Sequence, residues 1–377
     1  MAVGEGHEGH PLDVDAVLAL DNEPAKEEVP AEIAAHLATQ RFELSGDVSV
    51  EQLSEAAQHL EGGLSVELPK GASIGLRGRS FERVAMDDLK AAVDRPDADG
   101  HRPAWAPLTY HPKIGARPVS KQLERFDGSK LTPVNNQEFL YGPDNRQVYY
   151  PGSYPWSCIG KVEVYPNAKS ESPNEWGSGV LIGDRIVLTA GHVVAGINPS
   201  DWKVKFTAGM YNGSPVSGSG AVSYVSDAKW LASGVSGHDY AVLRLYQPLG
   251  HWMGYFGYKT YSSSWNGGAY WYLCGYPYDI AGGNSPSYQN GIVVLDEDGD
   301  LLGGAELEHH GDTASGDSGG PFFSFWAGQN YPSVVGTTSG HETIGGPSWT
   351  GGEDNNIEAG GSLLSSLLGQ ARSDWPL

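Results

Sequence analysis

The sequence predicts an all-β fold from about residue 151 onward, on three observations. Glycine and proline are abundant, at 52 and 24 of 377 residues, which favours short strands and tight turns over long helices. Short apolar or alternating runs recur, separated by clusters of Gly, Ser, Asn and Pro. The one run with clear helical spacing in this part is Ser362–Arg372, with four leucines on one face. A β-barrel or β-sandwich with a C-terminal helix is expected.

The predicted strands are short runs bounded by turn residues. In chain order they are Ile159–Tyr165, Gly179–Ile182, Arg185–Thr189, Trp202–Phe206, Ala221–Val225, Ala241–Tyr246, Ala269–Leu273, Gly291–Leu295, Pro321–Phe325 and Val334–Thr338. The acidic run Asp296–Asp300 lacks the later bidentate glutamate of a calcium loop, so we interpret it as a hairpin turn around Asp298-Gly299.

Residues 1–130 have a different character. Pro30–Thr39 and Ser49–Leu60 have helical spacing, Leu64–Leu68 is a candidate strand, and Asp94–Pro118 is irregular in pattern. We therefore expect a small mixed α/β or partly irregular N-terminal region over 1–130. A connector follows over 131–150, and the β-rich domain occupies 151–377.

Charge limits the classes of partner. The net charge is −22, and half of it comes from residues 1–60, which hold thirteen acidic residues against Lys26 and Arg41. Binding to nucleic acid phosphates requires a lysine- and arginine-rich face, so no nucleic acid partner is expected. No apolar run approaches the length of a membrane span, so no membrane partner is expected either.

The two cysteines give no metal-binding pair. Cys158 and Cys274 stand far apart in the sequence, and a zinc site needs closely spaced ligands. They are interpreted either as one disulfide or as two buried thiols. The spacing in His7–His10 is wrong for a metalloprotease helix, so neither a metal nor a cofactor is expected.

A serine flanked by glycines offers a nucleophile. Ser318 lies in the run Gly311–Pro321, with Asp317 directly before it and glycines on either side. Glycine allows backbone N–H groups to approach a bound oxygen closely. A serine hydroxyl also needs a base to remove its proton and donors to hold the oxyanion.

A base and an acid precede this serine. His192 follows the apolar run Arg185–Thr189 and has small neighbours, so a neutral imidazole there can accept the serine proton. Asp239 opens the apolar run Ala241–Tyr246, where a buried carboxylate needs a partner such as the imidazole N–H. Taken alone, His192 would be a core histidine and Asp239 an exposed strand-entry residue, while His238 is expected to be exposed.

Together the motifs resemble the chymotrypsin/trypsin-like serine proteases. The resemblance is carried by Thr189–His192, by Asp239–Leu243 and by Gly316–Pro321, in the order His, Asp, Ser. Within that superfamily, Cys274–Pro277 and Gly142–Arg146 look like the bacterial and fungal glutamyl-endopeptidase branch. The cysteines that usually flank the histidine and the serine in animal members are missing here.

The resemblance implies a fold and a mechanism. Two six-stranded antiparallel β-barrels would hold the catalytic site in their cleft, with His192 and Asp239 from the first barrel and Ser318 from the second. The backbone N–H groups of Gly316 and Ser318 would form the oxyanion hole. Asp317 matches the acid that pairs with a freed N-terminus after activation in such enzymes. The implied function is a serine endopeptidase that hydrolyses polypeptides through an acyl-enzyme.

Two other functions fit part of the pattern. The run Gly316–Gly320 also satisfies the nucleophile elbow of the α/β-hydrolases, but that fold needs its acid and histidine after the serine and alternating strands and helices. Between Ser318 and His341 there is no acid. A protease-like binding module without catalysis is the second alternative, although such a module would normally have lost one of the three residues.

The substrate pocket is less clearly specified. The resemblance places Asp312 where trypsin-like enzymes bind Lys or Arg, and Thr313 where glutamyl endopeptidases have a threonine. In glutamyl endopeptidases a histidine partners this threonine, and it is expected near position 338. That position is Thr338 here, and His341 lies three residues further on. An acid at the base of the pocket would oppose a glutamate side chain unless it turned away. We therefore expect a basic residue before the scissile bond.

The N-terminal region is interpreted as a pro-segment or accessory domain. Residues 1–145 are expected to inhibit the protease intramolecularly, and cleavage within 125–150 is expected to raise activity. The family resemblance implies an extracellular location. The first residues lack the basic region and apolar core of a secretory signal, so they do not predict the export route.

Overall fold

The computed structural model describes residues 9–40, 44–45, 73–74, 77–90, 97–116, 132–133, 140–344 and 353–377. The predicted helix Ser49–Leu60 and the predicted strand Leu64–Leu68 lie outside these residues.

The described elements are mostly strands. The strands are β1 (Leu44–Ser45), β2 (Ser73–Ile74), β3 (Ser80–Arg83), β4 (Lys113–Ile114), β5 (Thr132–Pro133), β6 (Gln147–Tyr150), β7 (Ile159–Tyr165), β8 (Glu175–Gly183), β9 (Ile186–Thr189), β10 (Lys203–Ala208), β11 (Met210–Tyr211), β12 (Ser214–Pro215), β13 (Val222–Trp230), β14 (Ala241–Leu245), β15 (Gly257–Tyr258), β16 (Ala269–Gly275), β17 (Ser287–Gly299), β18 (Ala305–His309), β19 (Pro321–Phe325), β20 (Pro332–Ile344) and β21 (Glu353–Gly360). The helices are α1 (Val14–Leu18), α2 (Ala31–Ala38), α3 (Met86–Lys90), α4 (Gly191–Ala195), α5 (Leu249–Met253) and α6 (Ser362–Asp374), with 3₁₀ turns at Trp156–Cys158 and Ser263–Trp265.

Six strands close the first barrel. Their order is β10-β7-β8-β9-β14-β13, and β13 returns to pair with β10. Every pairing in this ring is antiparallel. Two strands from earlier in the chain attach in parallel, β3 to β13 and β5 to β8. Closure removes the unpaired edges that an open sheet would expose.

Six further strands close the second barrel. Their order is β16-β19-β20-β21-β18-β17, and β17 returns to pair with β16. These pairings are antiparallel as well. The helix α6 follows β21 and buries Leu363, Leu364, Leu367 and Leu368 in the main hydrophobic core. The predicted chymotrypsin-like double barrel with a C-terminal helix is therefore confirmed.

The apolar runs located most of the strands. All ten predicted runs fall on strands of the two barrels. The prediction missed β18 and β21, whose sequences AELEH and EDNNIEAG carry few apolar residues. The hairpin between β17 and β18 turns at Asp300–Gly304 rather than at Asp298-Gly299, because β17 continues to Gly299. The two barrels do not alternate strands with helices, which excludes the α/β-hydrolase alternative.

The described part of the N-terminal region packs onto the barrels. Leu12 N–H donates to the carbonyl of Phe325 at 2.8 Å, and Gly220 N–H donates to the carbonyl of Leu37 at 2.8 Å. Val17, Leu89 and Leu108 are completely buried in the main core. The described part of this region combines short helices, the strand β3 and irregular backbone over 97–112. The helix α2 and the irregular backbone were predicted from the sequence, whereas β3 was not.

Both cysteines are buried free thiols, so the structure selects thiols over a disulfide. Burial raises the pKa of Cys158 and of Cys274 above the ordinary value. Within the described ranges, no helix is both long enough and apolar enough to cross a bilayer.

Candidate active site

His192 lies in the first turn of α4, directly after strand β9. Gly191 makes this turn possible, because a Cβ at that position would lie 1.9 Å from the carbonyl oxygen of Ala232. The His192 side chain is only 6% exposed. The end of β9 thus places an almost completely buried imidazole at the edge of the first barrel.

Asp239 accepts two hydrogen bonds from His192. Its Oδ2 lies 2.5 Å from His192 Nδ1, and its Oδ1 accepts the His192 backbone N–H at 2.8 Å. Asp239 precedes β14 and is completely buried. The contact at Nδ1 orients the ring and leaves Nε2 as the nitrogen that can accept a proton.

A third contact to this carboxylate comes from the second barrel. The hydroxyl of Ser339, on β20, donates to Asp239 Oδ2 at 2.7 Å. Sequence analysis did not identify Ser339, because a serine within a polar run has no distinctive local pattern. The carboxylate therefore holds the two barrels together at the candidate site as well as orienting the imidazole.

The predicted nucleophile lies in the loop between β18 and β19. Ser318 is completely buried. Its carbonyl accepts the N–H of Ser178 at 2.8 Å, from β8 of the first barrel. A Cβ at Gly319 would lie 2.2 Å from Thr189 Oγ1 and 2.7 Å from Ala190 N. This close approach brings the serine loop against the residues that lead into the histidine helix.

Ser178 fixes the loop from the first barrel. Its hydroxyl donates to the carbonyl of Gly316 at 2.7 Å and accepts the N–H of Tyr276 at 2.8 Å. Thr189 Oγ1 donates in turn to the carbonyl of Ser178 at 2.7 Å. These hydrogen bonds join the loop to strand β8 and to the chain after β16, so the loop has a defined conformation.

The two predicted oxyanion donors belong to peptides whose carbonyls are already bound. The carbonyl of Ser315 accepts the N–H of Tyr278 at 2.7 Å, and the carbonyl of Asp317 accepts the N–H of Gly320 at 2.7 Å. In a trans peptide the N–H points opposite to the C=O. The N–H groups of Gly316 and Ser318 therefore point away from the side on which Tyr278 and Gly320 bind those carbonyls. Gly316 has φ +105°, a conformation that glycine adopts readily.

Asp312, the predicted binder of a basic side chain, is turned toward the connector. Its carboxylate accepts the N–H groups of Tyr141 and Asn145, each at 2.8 Å, and the Asn145 side-chain amide at 3.2 Å. The residue is completely buried. Because its carboxylate is turned toward the connector, Asp312 would not oppose an acidic side chain in the predicted pocket.

A buried acid–base pair lies behind the other predicted pocket residues. Thr338 on β20 is in register with Glu358 on β21, and Glu358 Oε1 lies 3.1 Å from His309 Nε2. His309 Nδ1 accepts the N–H of Gly311 at 2.9 Å, so Nε2 carries the proton that it donates to Glu358. Burial raises the pKa of Glu358 well above its ordinary value and lowers that of His309 to about 3.

Thr313 and Thr338 are both buried. His341 Nε2 lies 2.6 Å from Asp354 Oδ1, on the next strand. The prediction that His238 is exposed was wrong. Its side chain is only 13% exposed, and its Nε2 lies 3.3 Å from Asp300 Oδ2. The hairpin turn that follows β17 covers it.

One trio of carboxylates stands close together in the described part of the chain. Ligand atoms of Glu306, Glu308 and Glu342 lie within 4.8 Å of one another. Burial, and then the charge of Glu342, raise the pKa of Glu306 to about 7. Gly237 N–H donates to Glu306 and the Asn355 amide donates to Glu308. The hydrogen-bond donors relieve part of the repulsion within the trio, and the raised pKa favours a proton on Glu306 below about pH 7.

Known proteins resemble a large part of this chain. The model of the family described as Trypsin matches residues 145–352. A glutamyl endopeptidase from Bacillus licheniformis is 24% identical over 275 residues, which cover 67% of this chain and 82% of that protein. A protein named extracellular metalloprotease, from Bacillus subtilis, is 28% identical over 296 residues, covering 76% of this chain and 88% of that protein.

Solved structures give a weaker likeness. A Glu endopeptidase in complex with MPD aligns with a TM-score of 0.46 and 20% identity, over 62% of this chain and all of that one. The protease Anisep from Arthrobacter nicotinovorans aligns with a TM-score of 0.40 and 17% identity, over 60% and 99%. The assignment of the fold therefore rests on the closed strand pairing.

Proposed function

The chain belongs to the trypsin family of serine-type endopeptidases, and we propose that His192, Asp239 and Ser318 are its catalytic triad. The observation that carries this proposal is the 2.5 Å contact between His192 Nδ1 and Asp239 Oδ2. That contact lies beside a serine loop fixed by Ser178 and Thr189.

The geometry supports a two-step acyl transfer. His192 Nε2 removes the proton of Ser318 Oγ as that oxygen attacks the peptide carbonyl, and then passes it to the leaving amine. Asp239 holds the imidazole tautomer and stabilises the imidazolium. The N–H groups of Gly316 and Ser318 bind the oxyanion that develops. Water then attacks the acyl-enzyme by the same route, which releases the acid and restores the serine.

Labelling with a fluorophosphonate probe tests the triad. Wild-type protein is expected to take the probe on Ser318, and Ser318→Ala and His192→Ala are expected to abolish labelling. Ser324→Ala is the matched control, because Ser324 is also completely buried and its hydroxyl donates to the Tyr270 carbonyl within the second barrel. Absence of labelling in folded wild-type protein, with or without its N-terminal region, would identify a binding module instead.

The substrates are polypeptides, and the side chain recognised before the scissile bond is a separate proposal. The sequence favoured a basic residue on the strength of Asp312, whose carboxylate faces the connector. Thr313 and Thr338 remain as the pocket residues proposed to contact that side chain. A peptide library decides between the two preferences: cleavage after Lys or Arg supports the original prediction, and cleavage only after Glu contradicts it.

We also propose that residues 1–145 restrain the protease and that its working location is extracellular. Two N–H groups within Tyr141–Asn145 hold Asp312, so an activating cut is expected before Leu140, within 125–139. Trimmed protein is expected to cleave a small peptide substrate faster than the full-length chain. Equal rates would contradict the inhibitory role, and N-terminal sequencing of native secreted material would locate the cut.

A further inference from the structure

Asp317 is an acid that the proposed mechanism does not use directly. It stands between the two oxyanion donors and is completely buried. Its Oδ2 accepts the N–H of Ala314 at 3.0 Å, and its Oδ1 packs against Gly275, where a Cβ would lie only 2.3 Å away. A carboxylate with no exposure to water requires a nearby positive charge to remain ionised.

That charge is supplied by Arg146. Its Nη1 lies 3.5 Å from Asp317 Oδ2, and the guanidinium is as fully buried as the carboxylate. Arg146 belongs to the connector ahead of β6, 171 positions before Asp317 in the sequence. The positive charge that faces this acid in the uncut chain is therefore a side chain.

Two further acids hold Arg146 in place. Asp144 accepts hydrogen bonds from Arg146 Nε at 3.0 Å and Nη2 at 2.9 Å, and from the Arg146 backbone N–H at 3.0 Å. Asp279 accepts Nη1 at 3.2 Å and also Nη2. The planar fork of arginine can serve three carboxylates at once, which a lysine ammonium cannot match.

The network joins the loop that carries Ser318 to two other segments. Asp144 lies in the connector, Asp279 in the loop after β16, and Asp317 beside the nucleophile. Burial alone would lower the pKa of Arg146, but the hydrogen bonds that Arg146 donates to Asp144 and the charges of Asp317 and Asp279 raise it. Burial raises the pKa of Asp317 to about 7 even beside Arg146, so the carboxylate depends on the charge of Arg146 to ionise near neutral pH.

We propose that Arg146 is a positioning residue for the oxyanion hole, and that it makes a freed amino terminus unnecessary for catalysis. The inference rests on the proposed triad and concerns how its loop becomes ordered. Asp317 supplies the carbonyl that accepts Gly320 N–H and the Oδ2 that accepts Ala314 N–H. Holding its carboxylate thus fixes the peptides that carry the Gly316 and Ser318 N–H groups.

The test compares full-length wild type with Arg146→Met, Arg146→Lys and Arg102→Met. Arg102 is a matched control, since its side chain is 3% exposed and is paired with Glu23. Loss of one oxyanion donor typically lowers kcat by about 10²–10³-fold, and this is the expected loss in Arg146→Met, with little change in KM. Arg146→Lys is expected to fall between wild type and Arg146→Met, and Arg102→Met to keep the wild-type kcat.

Two further readouts separate positioning from stability. In Arg146→Ala, added guanidinium is expected to restore part of kcat, because it can enter the vacated space, whereas urea at the same concentration is not. The uncut full-length band is expected to take the fluorophosphonate label, but more slowly than trimmed protein, because the N-terminal region is proposed to restrain the protease. If Arg146→Met does not fold, Arg146→Lys carries the comparison through its kcat and KM.

The inference is overturned if folded Arg146→Met or Arg146→Lys keeps the wild-type kcat. It is also overturned if trimmed protein takes the label only while its new amino terminus is free, and loses the label when that terminus is acetylated. Failure of wild-type protein to react in any form would instead contradict the proposed function.

Discussion

Each of the two barrels closes with six antiparallel strands, but the side chains in their interiors differ. The strands of the first barrel bury chiefly aliphatic side chains, among them Val162, Leu181, Val187, Val204 and Leu243. The second barrel has its own cluster, which is rich in aromatic side chains such as Trp271 and Phe322. It also buries His309, Asn356 and Glu358 completely.

This difference separates a scaffold from a recognition module. An aliphatic interior needs only shape and volume to pack well. Buried polar groups must be hydrogen-bonded, and each partner restricts the conformation of its neighbours. The second barrel places its polar groups behind Thr338 and beside the loop of Ser318, so its interior supports the proposed substrate pocket. The first barrel contributes the proposed base and the proposed acid from its rim.

The largest predicted effect is on the acid at the rim of the first barrel. Asp239→Asn keeps the size of the side chain but disturbs the imidazole tautomer, so kcat is expected to fall by about 10⁴-fold. Steady-state kinetics on a peptide substrate measures this change. A loss below tenfold, with circular dichroism showing intact folding, would contradict the role of Asp239. Asp227→Asn is the control, since Asp227 is half-buried on β13 and outside the triad.

The next effect concerns the acid of the second barrel that faces the connector. Asp312→Asn replaces a carboxylate that accepts two backbone N–H groups. The free energy of unfolding is expected to fall by about 1–3 kcal/mol, because hydrogen bonds to a charged group are among the stronger ones. Urea denaturation measures it. Cleavage preference in a peptide library is expected to stay unchanged; a switch away from basic side chains would instead restore Asp312 as a pocket residue.

A smaller effect is expected where the second barrel reaches the triad. Ser339→Ala removes the hydroxyl that donates to Asp239 Oδ2 but leaves both contacts from His192. We expect kcat to fall about tenfold, which corresponds to one hydrogen bond of roughly 1.4 kcal/mol. The same kinetic assay measures it. Ser333→Ala on the same strand is the control, and a loss in Ser339→Ala as large as that in Asp239→Asn would show that the bond from Ser339 is essential.

The last prediction concerns pH and the interior of the second barrel. Burial lowers the pKa of His309 from 6.5 to about 3, so the unfolded chain binds more protons at His309 between these values. The stabilisation from neutral His309 is complete above pH 6.5 and is lost as the pH falls toward 3. Protonated Glu358 acts in the opposite direction, because its raised pKa favours the folded state in acid.

His309→Gln is expected to flatten the dependence of unfolding free energy on pH within this window. The change is at most about 1.4 kcal/mol per pH unit for one group. Urea midpoints measured between pH 3.5 and 7 check it, with His251→Gln as an exposed control whose side chain is 43% exposed. An unchanged pH profile in His309→Gln would contradict the assignment of a neutral buried histidine.

The sequence alone determined the features that depend on local pattern. Apolar runs bounded by turn residues located the ten predicted strands, since burial on a barrel wall selects such residues. The residues around His192, Asp239 and Ser318 formed motifs that named the candidate triad. Strands β18 and β21 escaped prediction, because their buried Glu, His and Asn residues look like solvent-exposed residues until their partners are known.

Only the tertiary structure decided which distant polar groups meet. Ser339 contacts Asp239 across 100 residues of sequence, and Tyr141 contacts Asp312 across 171. Arg146 lies in a run that the sequence already singled out by resemblance, yet its partners Asp279 and Asp317 appear only when both barrels close. Local periodicity records which face of a strand is buried. It does not record which strand arrives opposite, because barrel closure and long loops set that arrangement.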